Sequence, residues 1–227
     1  VTSPDLLRCV ELGAIEDADV SVVWLHGLGA DGHDFAPIVP ELRLDPALRV
    51  RFVFPHAPAI PVTINGGMVM PAWYDIAELD LKRRHDDAGI LASAQHVEAL
   101  LAREVERGVA PERTLLVGFS QGGAMALHVG LRHARTLAGI VALSAYMVRG
   151  DTLDEEAHEA NAHTPVFMGH GSRDPMVPVA RGRAAHDQLA GLGRDVSWHE
   201  YGMQHEVCLE EIRDLSSWMA ARWAPAS

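Results

Sequence analysis

The chain has 227 residues, 48% of them apolar and 22% charged, a balance that can bury a core and excludes a disordered polymer. Nineteen Lys and Arg face thirty-one Asp and Glu, a formal net charge of −12, and an acidic surface without a basic block argues against nucleic acid as a partner. The longest apolar run, Ala138 to Val148, is interrupted by Gly139 and Ser144 and reaches only about half the ~20 residues of a membrane span, so no transmembrane helix is expected.

The segment Val1–Asp5 has neither a basic start nor an apolar stretch, which makes the cytoplasm the expected location. Cys9 and Cys208 stand alone, without C-x-x-C spacing, so no disulfide framework or metal finger is expected and both read as inert small hydrophobes. No repeat, low-complexity tract or linker divides the sequence, and residues 1–227 are expected to form a single domain.

In chain order, apolar β-rich runs predict strands at Ser21–Leu25, Arg51–Phe54, Thr114–Phe119, Gly139–Leu143, Val166–Gly169 and Val196–Tyr201. Several are apolar throughout, as parallel strands covered on both faces are. Helical spacing fills the intervals. Asp87–Arg107 sets Ile90, Leu91, Ala94, Val97, Leu100, Leu101 and Val105 on one face and is closed by Gly108 and Pro111. Weaker patterns cover Gln121–His133, Val179–Leu192 and Glu206–Trp223. Strand followed by helix, repeated, predicts an α/β fold: a mostly parallel central sheet with helices on both faces. Pro55–Leu81 breaks the rhythm with Pro55, Pro58, Pro61, Gly66, Gly67 and Pro71 among Ile60, Ile64, Met68, Met70 and Trp73. An ordered loop this long and apolar is expected to cover a site.

Gly118-Phe119-Ser120-Gln121-Gly122 is a G-x-S-x-G motif at the junction of a predicted strand and helix. That context suits a nucleophile turn, where small residues two before and two after the serine let strand and helix approach. A serine hydroxyl needs a neutral imidazole to take its proton and a carboxylate to hold that imidazole's tautomer. In α/β-hydrolases these follow in the order Ser, acid, His, on loops after later strands. Asp174 is the one carboxylate in the turn His170–Pro178, and His205 closes the loop after Tyr201. Position singles His205 out among 13 histidines; His85, His158 and His163, in polar surroundings, read as solvated.

Gly27, Gly29 and Gly32 also spell G-x-G-x-x-G after a strand, but Val53-Phe54-Pro55-His56 offers no acidic residue for a ribose, which removes the dinucleotide reading. The same glycines can instead bend a loop beside the nucleophile, making Leu28 N–H and Gln121 N–H the candidate oxyanion donors. His199-Glu200 does not make a zinc-protease motif with His205, which lies five residues beyond the Glu rather than three. Asp154-Glu155-Glu156 reads as a solvated helix face. Ile60, Ile64, Met68, Met70, Trp73, Ile76 and Met176 suggest an apolar acyl site.

With these residues in place, the chain from about Leu6 to Trp223 resembles the bacterial carboxylesterases related to acyl-protein thioesterases and lysophospholipases, small α/β-hydrolases. The resemblance is carried by Leu25–Gly32, Val62–Gly67, Met70–Ile76, Gly118–Gly123 and Asp174–Pro178. It implies Ser120, Asp174 and His205 as catalytic residues, Leu28 and Gln121 as the oxyanion hole, and the Ile64–Ile76 loop as part of an acyl-binding rim that includes Ile64, Trp73, Ile76 and Met176. It also implies that homodimers can form. Gln204 departs from the pattern, since many relatives carry a smaller residue before the histidine.

The expectation is a serine carboxylesterase for small-molecule esters of short to medium chain, using no metal or organic cofactor, so that a chelator leaves activity intact. Activity should fall as low pH protonates the base. The rival enzyme is a thioesterase or lysophospholipase for longer chains, and the non-enzymatic rival is a silent binding protein on the same fold.

Overall fold

The computed structural model describes residues 6–77 and 86–224. In chain order its strands are β1 (Cys9–Gly13), β2 (Val20–Leu25), β3 (Val50–Pro55), β4 (Ala59–Val62), β5 (Met68–Pro71), β6 (Thr114–Phe119), β7 (Gly139–Leu143), β8 (Val166–Gly171) and β9 (Val196–Tyr201). The α-helices are α1 (Asp87–Glu106), α2 (Gln121–Gly130), α3 (Leu153–Glu156), α4 (Val179–Gly191) and α5 (Leu209–Trp223). Seven strands form one sheet in the order β1-β3-β2-β6-β7-β8-β9. All neighbours are parallel except β1, which runs antiparallel to β3. This is an α/β-hydrolase fold.

The alternation of side chains along each strand sorts the core into two layers. Val23, Leu25, Leu116, Ile140, Ala142, Val166 and Met168 pack with residues of α1, α2 and α4 on one face. Val22, Trp24, Leu115, Val117, Val141, Leu143 and Phe167 pack on the other with Ile212, Leu215 and Met219 of α5 and with Ile38 and Leu42 of a 3₁₀ stretch, Ala36–Leu42. Strands covered on both sides need apolar residues at successive positions, which explains the uniformly buried β2, β7 and β8.

Strand order reverses between β2 and β6, and such a switch point opens a crevice at the carboxyl ends of the strands. The β2–β6 register pairs Leu25 with Gly118, so the turn after β2 emerges beside Ser120. Towards the opposite end of the sheet, Arg51 of β3 and Glu104 of α1 form a fully buried ion pair at 2.8 Å, joined by the Ser21 hydroxyl.

The six predicted strands and four predicted helices are present, with the second and fourth helices shorter than their sequence patterns. The sequence pattern missed β1, a half-buried edge strand. Pro55–Leu81, expected as a loop, instead contains the hairpin β4–β5, separate from the main sheet. Its prolines are compatible with a two-stranded ribbon, and Gly66 and Gly67 take the positive φ values of 67° and 78° that turn the chain. Residues 78–81 and His85 lie outside the described residues. His158, expected to be solvated, is half-buried and its Nδ1 caps the turn at Ala160 N–H.

The acidic run after Leu153 is exposed, as expected. Asp154, Glu155 and Glu156 are all exposed, and Glu156 in addition pairs with both Arg132 and Arg149 at 2.7 and 2.6 Å. Burial alone would raise its carboxyl, yet hydrogen bonds from Thr152, Arg132 and Arg149 bring it down to about 2. Among the described residues, no helix is long and apolar enough to cross a membrane.

Candidate active site

Ser120 sits between β6 and α2 with φ 55° and ψ −119°, a conformation that L-residues adopt only when their surroundings impose it. The neighbouring glycines show how. A Cβ at Gly118 would come within 2.1 Å of Gly122 O, and one at Gly122 within 2.3 Å of Leu25 O. The backbone is also tied across the sheet, Ser120 N–H donating to Leu143 O at 2.8 Å.

The strand ends β8 and β9 bring the other two residues to this turn. His205 Nε2 lies 2.9 Å from Ser120 Oγ, and His205 Nδ1 lies 2.6 Å from Asp174 Oδ2. The second carboxylate oxygen, Oδ1, accepts the main-chain N–H groups of Met176 and Val177, each at 2.8 Å. Asp174 is therefore held by its own turn before it meets the imidazole, and its side chain has no solvent exposure. Phe119 packs against the His205 ring at 4.8 Å between centroids. His170 lies under the acid turn with Nε2 bonded to Val177 O at 2.8 Å, and burial pushes its imidazole below the ordinary histidine value.

Leu28 follows β2, and Gln121 opens the first turn of α2, where main-chain N–H groups lack intrahelical acceptors. The Leu28 loop is braced by His26, whose Nε2 accepts Ala57 N–H at 3.0 Å while Nδ1 lies 2.7 Å from Gly27 O. The first contact makes Nε2 the acceptor, so Nδ1 carries the proton; burial lowers the pKa of this imidazole and favours that neutral form.

Ser120, Gln121, Leu28 and His205 open onto a cavity of about 500 Å³ whose apolar walls include Ile64, Ile76, Phe119, Tyr146, Met176 and Val177. Of the residues expected on the acyl rim, Ile64, Ile76 and Met176 line this cavity. Trp73 does not. It is buried behind the wall, its indole N–H donating to His26 O at 2.9 Å and its ring 5.5 Å from that of His26. A large aromatic in a Pro- and Gly-rich segment reads as a lining residue, but here it serves as a wedge. Met68, at the hairpin tip, is 64% exposed. Gln204 is exposed and does not line the cavity, so the departure from the pattern at that position leaves the wall unchanged. Tyr146 and Val177 were missed: Tyr146 follows β7 with no local motif to mark it, and Val177 could have been found from the Asp174 turn that contains it.

A sheet with a strained serine turn at the end of its fourth strand, β6, and a serine–histidine–aspartate hydrogen-bonded line drawn from the ends of three strands, places the chain among the hydrolases of the α/β-hydrolase class. The match of residues 12–222 to the Phospholipase/Carboxylesterase family model shows that the chain belongs to that family. It is 40% identical over 214 residues to acyl-protein thioesterase 1 of Gibberella zeae, covering 90% of this chain and 91% of the relative. It is likewise 40% identical over 218 residues to acyl-protein thioesterase 1 of Neurospora crassa, covering 92% and 89%. Among solved structures, Arabidopsis thaliana SOBER1 superposes with a TM-score of 0.85 at 31% identity, over 90% of this chain and 99% of that one. Esterase PE8 superposes at 0.81 and 31%, over 95% and 99%.

Proposed function

We propose that the protein hydrolyses carboxylic esters and thioesters of an apolar acyl chain through an acyl-serine intermediate, acting as a single domain. The observation that carries this reading is the line Ser120–His205–Asp174 opening onto a largely apolar cavity. The acyl chain lies against Ile64, Ile76 and Met176, with its carbonyl carbon above Ser120 Oγ. His205 Nε2 takes the hydroxyl proton as Oγ attacks, and Asp174 holds the Nδ1 proton and stabilises the imidazolium. The main-chain N–H groups of Leu28 and Gln121 receive the negative oxygen of the tetrahedral intermediate. His205 then returns the proton to the departing alcohol or thiol, and a water molecule repeats the sequence on the acyl-enzyme.

Two curated relatives that match most of the chain are named acyl-protein thioesterases, which favours thioesters and longer acyl chains over the short esters expected from sequence. The solved neighbour named as an esterase supports the oxygen-ester reading, and the cavity volume is within the ~300–1,000 Å³ of ordinary ligand pockets.

The test is hydrolysis of p-nitrophenyl esters from acetate to palmitate, and of a palmitoyl thioester, by the wild type and by Ser120→Ala. Turnover that rises with chain length and falls by about 10⁴–10⁶ in the variant is expected. A maximum at acetate would return the short-chain carboxylesterase, while turnover surviving Ser120→Ala would overturn the acyl-serine mechanism. A wild type inert towards the whole series would leave a binding protein on this fold.

A further inference from the structure

Gln121 enters the proposed mechanism only through its main-chain N–H, yet its side chain is buried and doubly committed. Its Oε1 accepts Trp73 N–H at 2.8 Å and its Nε2 donates to Tyr74 O at 2.7 Å, with the residue only 1% exposed. A carboxamide offers one acceptor and one donor face, and here the two are matched to successive peptide groups of a segment 47 residues away in the chain.

That segment carries the cavity wall. Ile76 O accepts Ile64 N–H at 2.8 Å, so the two isoleucines that line the cavity are tied to each other, two residues beyond the Gln121 contact. Tyr74 Oη lies 2.8 Å from Oη of Tyr146, which also lines the cavity. Trp73 is further bonded through its carbonyl to Ser93 Oγ and through its indole to His26 O. Gln121 is the member of this set that belongs to the nucleophile turn itself.

We propose that the Gln121 side chain is a positioning residue for acyl selectivity: its carboxamide sets the distance between the serine turn and the Ile64–Ile76 wall. This rests on the acyl-cavity reading above. Helix α2 and the glycine contacts hold the Gln121 main chain without help from its side chain, so loss of the carboxamide loosens the far wall more than the oxyanion donor. A short acyl group that does not reach the wall is affected less than one that leans on it.

The experiment compares kcat and KM for p-nitrophenyl acetate and octanoate in the wild type, Gln121→Met and Gln121→Glu, with thermal melts of all three. Gln121→Met keeps the volume and loses both bonds. The octanoate KM should rise so that the octanoate-to-acetate ratio of kcat/KM falls by about tenfold or more, the order expected for lost uniform binding. Gln121→Glu supplies a reversible version, because a neutral carboxyl can accept from Trp73 and donate to Tyr74, whereas a carboxylate only accepts. Its octanoate-to-acetate ratio should recover towards the wild-type value between about pH 8 and about pH 5, and because both substrates use the same base, titration of the base cancels in the ratio. Equal loss for both esters, or a Gln121→Glu ratio that does not move with pH, overturns the latch. A wild type that hydrolyses neither ester overturns the hydrolase reading and the latch together, and if Gln121→Met does not fold, the pH response of Gln121→Glu decides alone.

Discussion

Two buried carboxylates of this chain are treated in opposite ways. Asp174, in the turn after β8, accepts two main-chain N–H groups on one oxygen and His205 on the other. Glu211, in the first turn of α5, is fully buried with neither oxygen hydrogen-bonded to any described residue. It occupies the space a side chain at Gly169 would need, since a Cβ there would stand 2.2 Å from Glu211 Oε1. Burial raises the Glu211 carboxyl to about 8, with the nearby charge of Asp214 adding to the effect. The difference teaches that burial alone does not decide the state of an acid. Donors placed by a turn hold and aim a carboxylate, while an apolar setting without donors favours the neutral acid. Glu104 is a third case, in which burial raises the carboxyl but hydrogen bonds from Arg51 and Ser21, and the charges of Arg51 and Arg107, outweigh it and leave it below its ordinary value.

The largest break in this comparison is expected at Asp174. Asp174→Asn keeps the size but presents an amide where the imidazole N–H needs an acceptor, and kcat for p-nitrophenyl octanoate should fall by about 10⁴ with the fold intact by circular dichroism. A loss of less than tenfold would mean that the acid does not orient the base.

Next in size is Glu104→Leu, which leaves the Arg51 guanidinium buried opposite an apolar group. Chemical denaturation should show about 3–5 kcal/mol of lost stability, and the paired substitution Arg51→Met with Glu104→Leu should regain most of it. If the single variant is as stable as the wild type, the pair contributes nothing and the contrast with Glu211 fails.

The Glu211 prediction has the sign opposite to that of an ion-paired acid. Its carboxyl titrates at about 8 in the folded chain against an ordinary 4.5, so between these values the native state holds a proton that the unfolded chain has released. Stability is therefore highest at the acid end of this window and declines as pH rises through it, by on the order of 5 kcal/mol once both states are ionised. Glu211→Gln removes the titration. It should match the wild type near pH 5 and exceed it in melting temperature at pH 8–9, and parallel stability curves for the two proteins would refute the assignment.

Much of this was legible in the sequence for identifiable reasons. The parallel strands declare themselves because both their faces are buried and nearly every residue is apolar, and α1 because Ile90, Val97, Leu100 and Leu101 recur at helical spacing. Ser120 was legible from a steric rule, two glycines flanking a serine at a strand–helix junction, and Asp174 and His205 from the order of loops. The edge strand β1 was not, because one half-buried face gives five residues too weak a pattern. Nor was the hairpin β4–β5, where proline frequency masks a ribbon that is not part of the main sheet.

By itself the sequence determined the layered α/β architecture and the strained serine turn, which depend on local periodicity and on spacing within a few residues, and it pointed to Asp174 and His205 as candidates through the order of loops along the chain. Only the tertiary structure decided that Trp73 is a wedge rather than a lining residue, that the Gln121 carboxamide grips the 73–74 peptides, and that Glu211 is buried without a partner. Those outcomes depend on which surfaces meet when residues tens of positions apart pack together, and on whether a donor happens to face each buried oxygen.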